Sequence, residues 1–388
     1  MCRYRSVFFL ISLLFFLTGC HHDSETSAST EARASQGEPV IRYAKGFQMY
    51  REEGFVLLNV FSHSSGLADT LQYVLVKKGD AVPEGFQPGQ VIRIPIASIA
   101  VTASSHIGAI DRLEAWDALV AVGDGQQVYA PKIKEKIRHG QISEIHKGLK
   151  LNEEKVIALQ PDVLMVTGGN TSDGTAYASL RRAGIPVIEN SEWLETSPLG
   201  RAEWIKLMAA LLDRLNMAEH QFAQVEHQYQ ALQEKVNKQV KNKPGVLLGN
   251  EYQGTWYMPG GRSFMAEMLA DAGADYYWKD NTQTGAIPLN FEAVYPVALE
   301  ADFWLNITDP ARNSGKNDLL SANERYAEFK SVKNDQLYSF TQRVDENLAN
   351  DYFESAVYRP DLLLADYVRI LHPELLPDHA LYYCKKLE

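Results

Sequence analysis

Cysteine is scarce in this sequence: 388 residues hold three, Cys2, Cys20 and Cys384, and no pair has Cys-x-x-Cys spacing. A dithiol redox pair and a thiolate metal site of that pattern are therefore excluded. Excess positive charge is missing as well. Lys and Arg number 38 against 49 Asp and Glu, a formal net charge of −11, and no basic run is interleaved with aromatics. A general nucleic-acid binder, which needs a basic face, is excluded on that ground. No Gly-x-Ser-x-Gly elbow occurs, so the hydrolase signature is absent too. The one long apolar run, Val7 to Leu17, is too short for a comfortable membrane span. What remains has ordinary soluble composition, with 45% hydrophobic, 22% charged and 10% aromatic residues. At this length roughly two domains are expected, because single cores stop growing near ~250–300 residues.

The first twenty residues, "MCRYRSVFFLISLLFFLTGC", place Arg3 and Arg5 before the apolar run and close it with Leu17-Thr18-Gly19-Cys20. This is signal-peptide architecture over 1–19. The closing tetrapeptide resembles the bacterial lipobox, whose cysteine becomes the acylated first residue, so Cys20 is the expected lipidation site. The stretch "HHDSETSASTEARASQGEP" that follows is nearly devoid of apolar residues and is expected to be a flexible tether over 20–39. Removal of Cys2 and acylation of Cys20 leave Cys384 alone, so no intramolecular disulfide is expected in the body.

Residues 40–95 alternate as strands, in "GFVLLNVF", "LQYVLVKKG" and "QVIRIPIASIAV", with turn residues between them. From Ile99 the rhythm becomes strand, loop, helix, strand, as in "SIAVTASSHIGAIDRLEAWDALVAVG". That alternation implies a parallel sheet with crossover helices. A helical block starts near Pro198 and runs to about 243, with Phe222, Val225, Tyr229, Leu232 and Val236 on one apolar stripe. Unbroken, about forty residues at ~1.5 Å each would span ~60 Å, enough to bridge two lobes. Alternation resumes at "KPGVLLGNEYQGTWYMPGGRSFMAEMLADAGAD", where Ser263 is placed to cap a helix ending at Gly273.

One phrase occurs twice. "LNEEKVIALQPDVLMV" at 151–166 and "LNFEAVYPVALEADFWLNI" at 289–307 each read Leu-Asn, acid, short apolar helix, acid, buried strand. The expected fold is α/β: two similar lobes with mostly parallel central sheets over 40–197 and 244–388, bridged by one long helix, with a ligand cleft between them. Residues 40–95 would be a β-rich extension of the first lobe.

From residue 96 onward, the segments "IAVTASSHIGAIDRLEAWDALVAVGD", "LNEEKVIALQPDVLMV", "EWLETSPLGRAEWIKLMAALL", "MPGGRSFMAEMLADAGAD" and "YRPDLLLADYVRILHPELLP" together resemble the periplasmic binding proteins for iron siderophores, haem and cobalamin. These feed ABC importers and have one rigid interdomain helix. The resemblance implies a monomer, lipid-anchored in the cell envelope, that holds a small-molecule metal chelate between its lobes and presents it to a permease dimer. It implies no cofactor and no catalysis. It also implies an acidic permease-docking residue on each lobe, at Glu154 and Glu292, with Glu153 as an alternative to Glu154.

Loops at the carboxyl ends of strands are where open α/β sheets place ligands. In the first lobe these offer Ser104, Ser105 and His106, the loop from Asp124 to Tyr129, His139, His146 and Thr167-Gly168-Gly169. In the second they offer Gln253, Trp256, Tyr257 and Arg262, then Arg343 and the stretch Asn350 to Phe353 with Tyr352. Aromatics beside Arg suit a flat or metal-chelating organic anion. The alternatives are core packing for Trp256 and Tyr257 and a surface role for Arg343. A lipid-anchored enzyme using the same cleft, a direct transition-metal binder using His106, His139 and His146, and a structural lipoprotein with an empty cleft are the other functional classes open to the sequence.

Overall fold

Short runs of Val, Ile and Leu build two parallel sheets. In the computed structural model, which describes residues 35, 37–62, 69–148, 150–169, 177–307 and 315–388, strand Ile99–Val101 is wholly buried between Leu119–Val122 and Val163–Thr167. Val187–Asn190 and Ser143–Glu144 flank these to complete a five-stranded parallel sheet. Strands apolar on both faces are what a helix-covered parallel sheet demands. The second lobe repeats the plan, in the order Asp275–Tyr276, Gly245–Leu248, Phe303–Ile307, Leu337–Ser339 and Lys385–Lys386. Its pairs are parallel except the last, which is antiparallel. The expected architecture of two α/β lobes with mostly parallel sheets is the observed one.

The repeated phrase has a structural reading in both copies. Asn152 and Asn290 are helix N-caps, their side chains accepting from the N–H groups of Lys155 and Ala293. An Asn cap satisfies one of the donors a helix start leaves unpaired. The later acid, Asp162 or Asp302, clamps the neighbouring strand. Asp162 accepts from the N–H groups of Ala97 and Ser98 at 2.6 and 3.1 Å, and Asp302 from that of Gly245 at 2.8 Å.

The predicted signal peptide at 1–19, Cys20 and the tether through residue 34 lie outside the described residues. The end of the expected tether departs from the sequence reading. Glu38–Pro39 is a strand paired with Tyr50 and Arg51, and the Glu52 carboxylate takes the Gly37 N–H at 3.0 Å. It belongs to a third five-stranded sheet, antiparallel except for its last pair, that also contains Phe47–Glu52, Phe55–Ser62, Asp69–Lys77 and Val91–Ile94. Met49, Leu58, Val60, Leu75 and Ile92 bury its inner face in the first-lobe core, and the Tyr73 hydroxyl donates to the Val187 carbonyl at 2.7 Å.

The helical block from Pro198 is broken where the sequence reading would have it continuous. It forms Pro198–Glu203, Ile205–Leu211 and Leu215–Gln239. The second break turns through Asp213, which has φ +55°. The bridging helix is thus the last of these, 25 residues and about 38 Å long at ~1.5 Å per residue. Ala218 on this helix belongs to the first core, whereas Phe222, Tyr229 and Val236 belong to the second. The chain crosses between the cores twice more. Leu199 and Ala202 lie in the second core, with Trp204 to Leu212 in the first; Val357 and Tyr358 lie in the first core, with Leu363 and Leu364 in the second.

At one point the lobes meet backbone to backbone. A Cβ on Gly108, in helix Ser104–Arg112, would stand 2.0 Å from the carbonyl oxygen of Glu354, in helix Asp351–Ser355. Gly108→Ala must push these helices apart, and overpacking of this kind costs about 1–3 kcal/mol. Chemical denaturation is expected to show that loss, and an unchanged midpoint would contradict the close approach.

Candidate functional site

In each sheet the strand order reverses between two central strands: Ile99–Val101 and Val163–Thr167 in the first lobe, Gly245–Leu248 and Phe303–Ile307 in the second. The crevice outside the carboxyl ends of such strands is the expected ligand position. A cavity of about 580 Å³ lies between the lobes there. Its first-lobe wall is small and polar, formed by Thr102, Ser104, Ser105 and Gln127. Its second-lobe wall is apolar and aromatic, with Phe264, Phe340, Leu348, Tyr352 and Phe353. Phe340 and Tyr352 stack at 4.3 Å with their planes 14° apart, and Phe353 meets both edge-on at 5.5 and 5.4 Å. Phe353 and Leu348 are 52% and 50% exposed, an unusual state for apolar side chains gathered on one wall.

Charge enters the cavity from the crossing segment. Glu192 opens the turn Glu192–Leu194, directly after strand Val187–Asn190, and its N–H donates to Asn190 Oδ1 at 3.0 Å. Arg201 lies one turn into helix Pro198–Glu203, which Ser197 caps by accepting from the Gly200 N–H. The Arg201 Nε–H donates to the Glu192 carboxylate, and its guanidinium carbon lies 4.3 Å above the Phe264 ring. Burial works against the Arg201 charge, but the Glu192 carboxylate more than offsets it, so the net shift is upward.

Of the residues singled out by sequence, Ser104, Ser105 and Tyr352 line the cavity, and Gln127, Asn350 and Phe353 come from two of the stretches named. Burial pushes the Tyr352 phenol up to about 12, against the pull of nearby Arg201. His106 sits beneath that wall, 1% exposed, with Nδ1 lacking a hydrogen-bond partner among the described residues. Burial pushes its imidazole down to about 4, opposed by the Glu192 charge. No hydrogen bond joins it to Ser105.

The remaining candidates stand elsewhere. Trp256 is a correction: it is fully buried, donates from Nε1 to the Leu248 carbonyl at 2.7 Å, and packs on Trp304 and Tyr326 in the second core. Strand alternation explains the error, since Trp256 faces inward while its neighbour Tyr257 is 54% exposed on the outer face of the same strand. Gln253 is an exposed turn residue with φ +51°, and Arg262 is an exposed residue in the loop after that strand. Neither is among the cavity-lining residues, and nor is His139, which is exposed. The half-buried His146 ring packs over Gly123, and burial pushes it down despite Asp124. No cluster of three or more His, Cys, Asp or Glu side chains able to hold a metal occurs among the described residues.

Arg343 and Tyr129 belong to an interlobe contact beside the cavity. Arg343 pairs with Asp351 at 2.5 Å and lies over the rings of Tyr382 and Tyr129 at 4.4 and 5.5 Å. The Tyr129 and Ala130 N–H groups donate to the Glu354 carboxylate at 2.5 and 3.0 Å, and Lys134 pairs with Asp345. Glu192, Arg201, Phe264 and Phe340 were not singled out from sequence. For Glu192 a signal existed, since it follows a strand end; Arg201 had none, being one arginine among many on a helix.

The candidate docking carboxylates occupy equivalent positions, each the second residue of its helix. Glu153 turns toward the Ser179 hydroxyl, leaving Glu154 exposed. Glu292 is also exposed, but Arg325 holds it through two hydrogen bonds of 2.7 and 3.3 Å and keeps its carboxyl below the usual range.

This arrangement, two α/β lobes joined by a long helix around an interlobe cleft, defines a solute-binding protein. The chain belongs to the periplasmic binding protein family, whose profile matches residues 99–344. It is 25% identical over 403 positions to an uncharacterized lipoprotein of Methanocaldococcus jannaschii, covering 95% of this chain and 92% of that one. A second uncharacterized lipoprotein of that organism is 27% identical over 405 positions, covering 97% of each chain. Among solved structures, a periplasmic heme binding protein of Pseudomonas aeruginosa matches with TM-score 0.56 and 18% identity over 76% of this chain and 98% of that one. The nickel-bound Helicobacter pylori protein CeuE matches with TM-score 0.55 and 20% identity, over 74% and 88%. At these identities the structural matches establish the fold.

Burial and the charges of Asp351 and Asp111 raise the Glu354 carboxyl to about 8, although the N–H groups of Tyr129 and Ala130 favour its ionised form. A carboxyl raised in the fold contributes stability that is complete below its unfolded pKa and is lost as pH rises through the folded value. Stability is therefore expected to fall by several kcal/mol between roughly pH 5 and 8 on account of this group. Glu354→Gln should flatten that part of the profile in denaturant titrations, and parallel profiles would remove Glu354 as the cause.

Proposed function

We propose that this protein is a lipid-anchored binding protein that captures a metal chelate between its lobes and delivers it to the permease dimer of an ABC importer. The chelate is an iron complex (a ferric siderophore or haem) or a corrinoid. The observation that carries this reading is the two-faced cavity, with stacked aromatics on one side, small hydroxyl and amide side chains on the other, and a guanidinium at its edge. Aromatic rings supply broad apolar area for a chelate's organic face. Hydroxyls and the guanidinium supply directed bonds to its oxygens or nitrogens. Acylation of Cys20 would hold the monomer at the outer face of the membrane, in line with the lipoprotein names of the archaeal relatives.

Purified protein titrated with haem, cobalamin, a ferric tris-hydroxamate and a ferric tris-catecholate tests the reading. At least one should raise the melting temperature by mass action without being chemically changed. Phe340→Ala and Arg201→Ala should each weaken that binding by about tenfold or more, a loss of ~1.4 kcal/mol. No shift with any chelate overturns the proposal.

Docking on the permease falls to Glu154 and Glu292, whose exposed charges steer a basic partner chiefly through association rate and specificity. Replacing both with Arg is expected to abolish uptake in the native host while chelate affinity stays near wild type. Each exposed change should alter stability by no more than about ±0.5 kcal/mol. Normal transport would end the docking assignment, and lost chelate binding would relocate these residues functionally to the cleft.

A further inference from the structure

The cation in the cavity wall has its own carboxylate. Among the described residues lining the cavity, Arg201 is the one cationic side chain and Glu192 the one carboxylate, and they bond to each other. Behind the walls, Arg343 pairs with Asp351, Lys134 with Asp345 and Lys206 with Glu203. His106, Tyr352 and Tyr358, titratable side chains next to this pair, are held in their neutral forms by burial. The N-terminus of helix Ser104–Arg112 adds a partial positive charge, roughly half a unit, which suits one hydrogen-bonding oxygen and not a polyanion.

A carboxylate in that place is a costly feature. Glu192 is 5% exposed, and an ion pair taken out of water loses more hydration than it regains unless its geometry is good. Without Glu192, Arg201 would offer an approaching anion a full, weakly hydrated cation stacked on Phe264. With it, the anion finds a neutral wall, inside a chain whose formal net charge is −11.

We propose that Glu192 is a specificity-determining residue: by neutralising Arg201 it tunes the cleft to metal chelates of little or no net charge and turns away polyanionic ones. The inference rests on the reading that the cleft takes a metal chelate. Ferric tris-hydroxamates and corrinoids share the required chemistry of a metal complex with low net charge and apolar surface. Ferric tris-catecholates and ferric citrate are the excluded class.

The test is the ratio of dissociation constants for an uncharged and a polyanionic probe, measured by intrinsic fluorescence at fixed ionic strength. A ferric tris-hydroxamate and cyanocobalamin serve as the uncharged probes, and a ferric tris-catecholate as the anionic one. Wild type is expected to favour the uncharged probes. Glu192→Gln keeps the side chain's shape, and should move the ratio toward the tris-catecholate by about tenfold or more. The double variant Glu192→Gln with Arg201→Gln restores a wall without net charge and should bring the ratio back toward wild type. If Glu192→Gln folds poorly, Glu192→Asn, which also removes the carboxylate charge, takes its place with the same expected direction. A structural role for the pair would weaken all probes together, and an unmoved ratio overturns the inference. So does a wild-type preference for the tris-catecholate, which would leave the chelate reading intact. Binding of no chelate at all overturns that reading and this inference with it.

Discussion

Glu203 is fully buried in the segment that carries the chain between lobes, and its carboxylate accepts the N–H groups of Arg42, Tyr43 and Ala44 as well as the Lys206 ammonium. Eight residues earlier, buried Glu195 accepts from Lys45, Gly46 and the Trp204 indole. A stretch with no strand or helix of its own is thereby fixed against the crossing by charge-assisted bonds, which are about twice as strong as neutral ones. Other buried acids also gather backbone donors. Glu354, its carboxyl raised by burial, accepts from Tyr129 and Ala130 across the lobes, and Asp366 accepts from the N–H groups of Tyr382, Tyr383 and Cys384 within the second lobe. Each removes several backbone donors from the list of groups that burial would otherwise leave unpaired.

The internal repeat belongs to the same logic at smaller scale. Asn caps the helix, and the later Asp ties the next strand's start to its neighbour, so polar residues specify register while Val, Leu and Trp fill the space between. This is why the repeat was legible without a structure. Capping and strand-opening acids are local devices whose partners lie at short or regular separations. The cap at Ser263 was legible on the same terms, its Oγ accepting from the Ala266 N–H.

Legibility failed where the partner is remote. The helical pattern from Pro198 runs through Trp204 and Asp213 without a proline or glycine to mark the breaks, and the turn at Asp213 has the left-handed backbone conformation that sequence periodicity does not encode. Trp256 and Tyr257 are adjacent aromatics with opposite fates, decided by which face of a three-stranded sheet packs on Trp304. Arg343 satisfied the chemistry wanted of a ligand anchor, yet Asp351 claims it. Arg201, in contrast, lies on a helix that reads as ordinary amphipathic surface and becomes a cavity residue only because the crossing brings Phe264 and Glu192 to it.

The two outer carboxylates show how far equivalence by sequence extends. Glu154 and Glu292 share a position in matching helices, and the positive end of each helix favours a negative charge there. Their surroundings differ. Glu154 makes no ion pair among the described residues, whereas Glu292 faces Arg325, whose guanidinium lies 4.4 and 4.3 Å from the Phe291 and Tyr295 rings. Arg325 is held by those rings as well as by charge, so it does not swing freely away as a surface lysine would. A basic partner approaching both lobes would therefore meet one open carboxylate and one already engaged. Its attraction to the second includes displacing, or sharing, a cation that the fold supplies. Sequence symmetry places the charges alike, and the side chains around them decide how much of each charge a partner can feel.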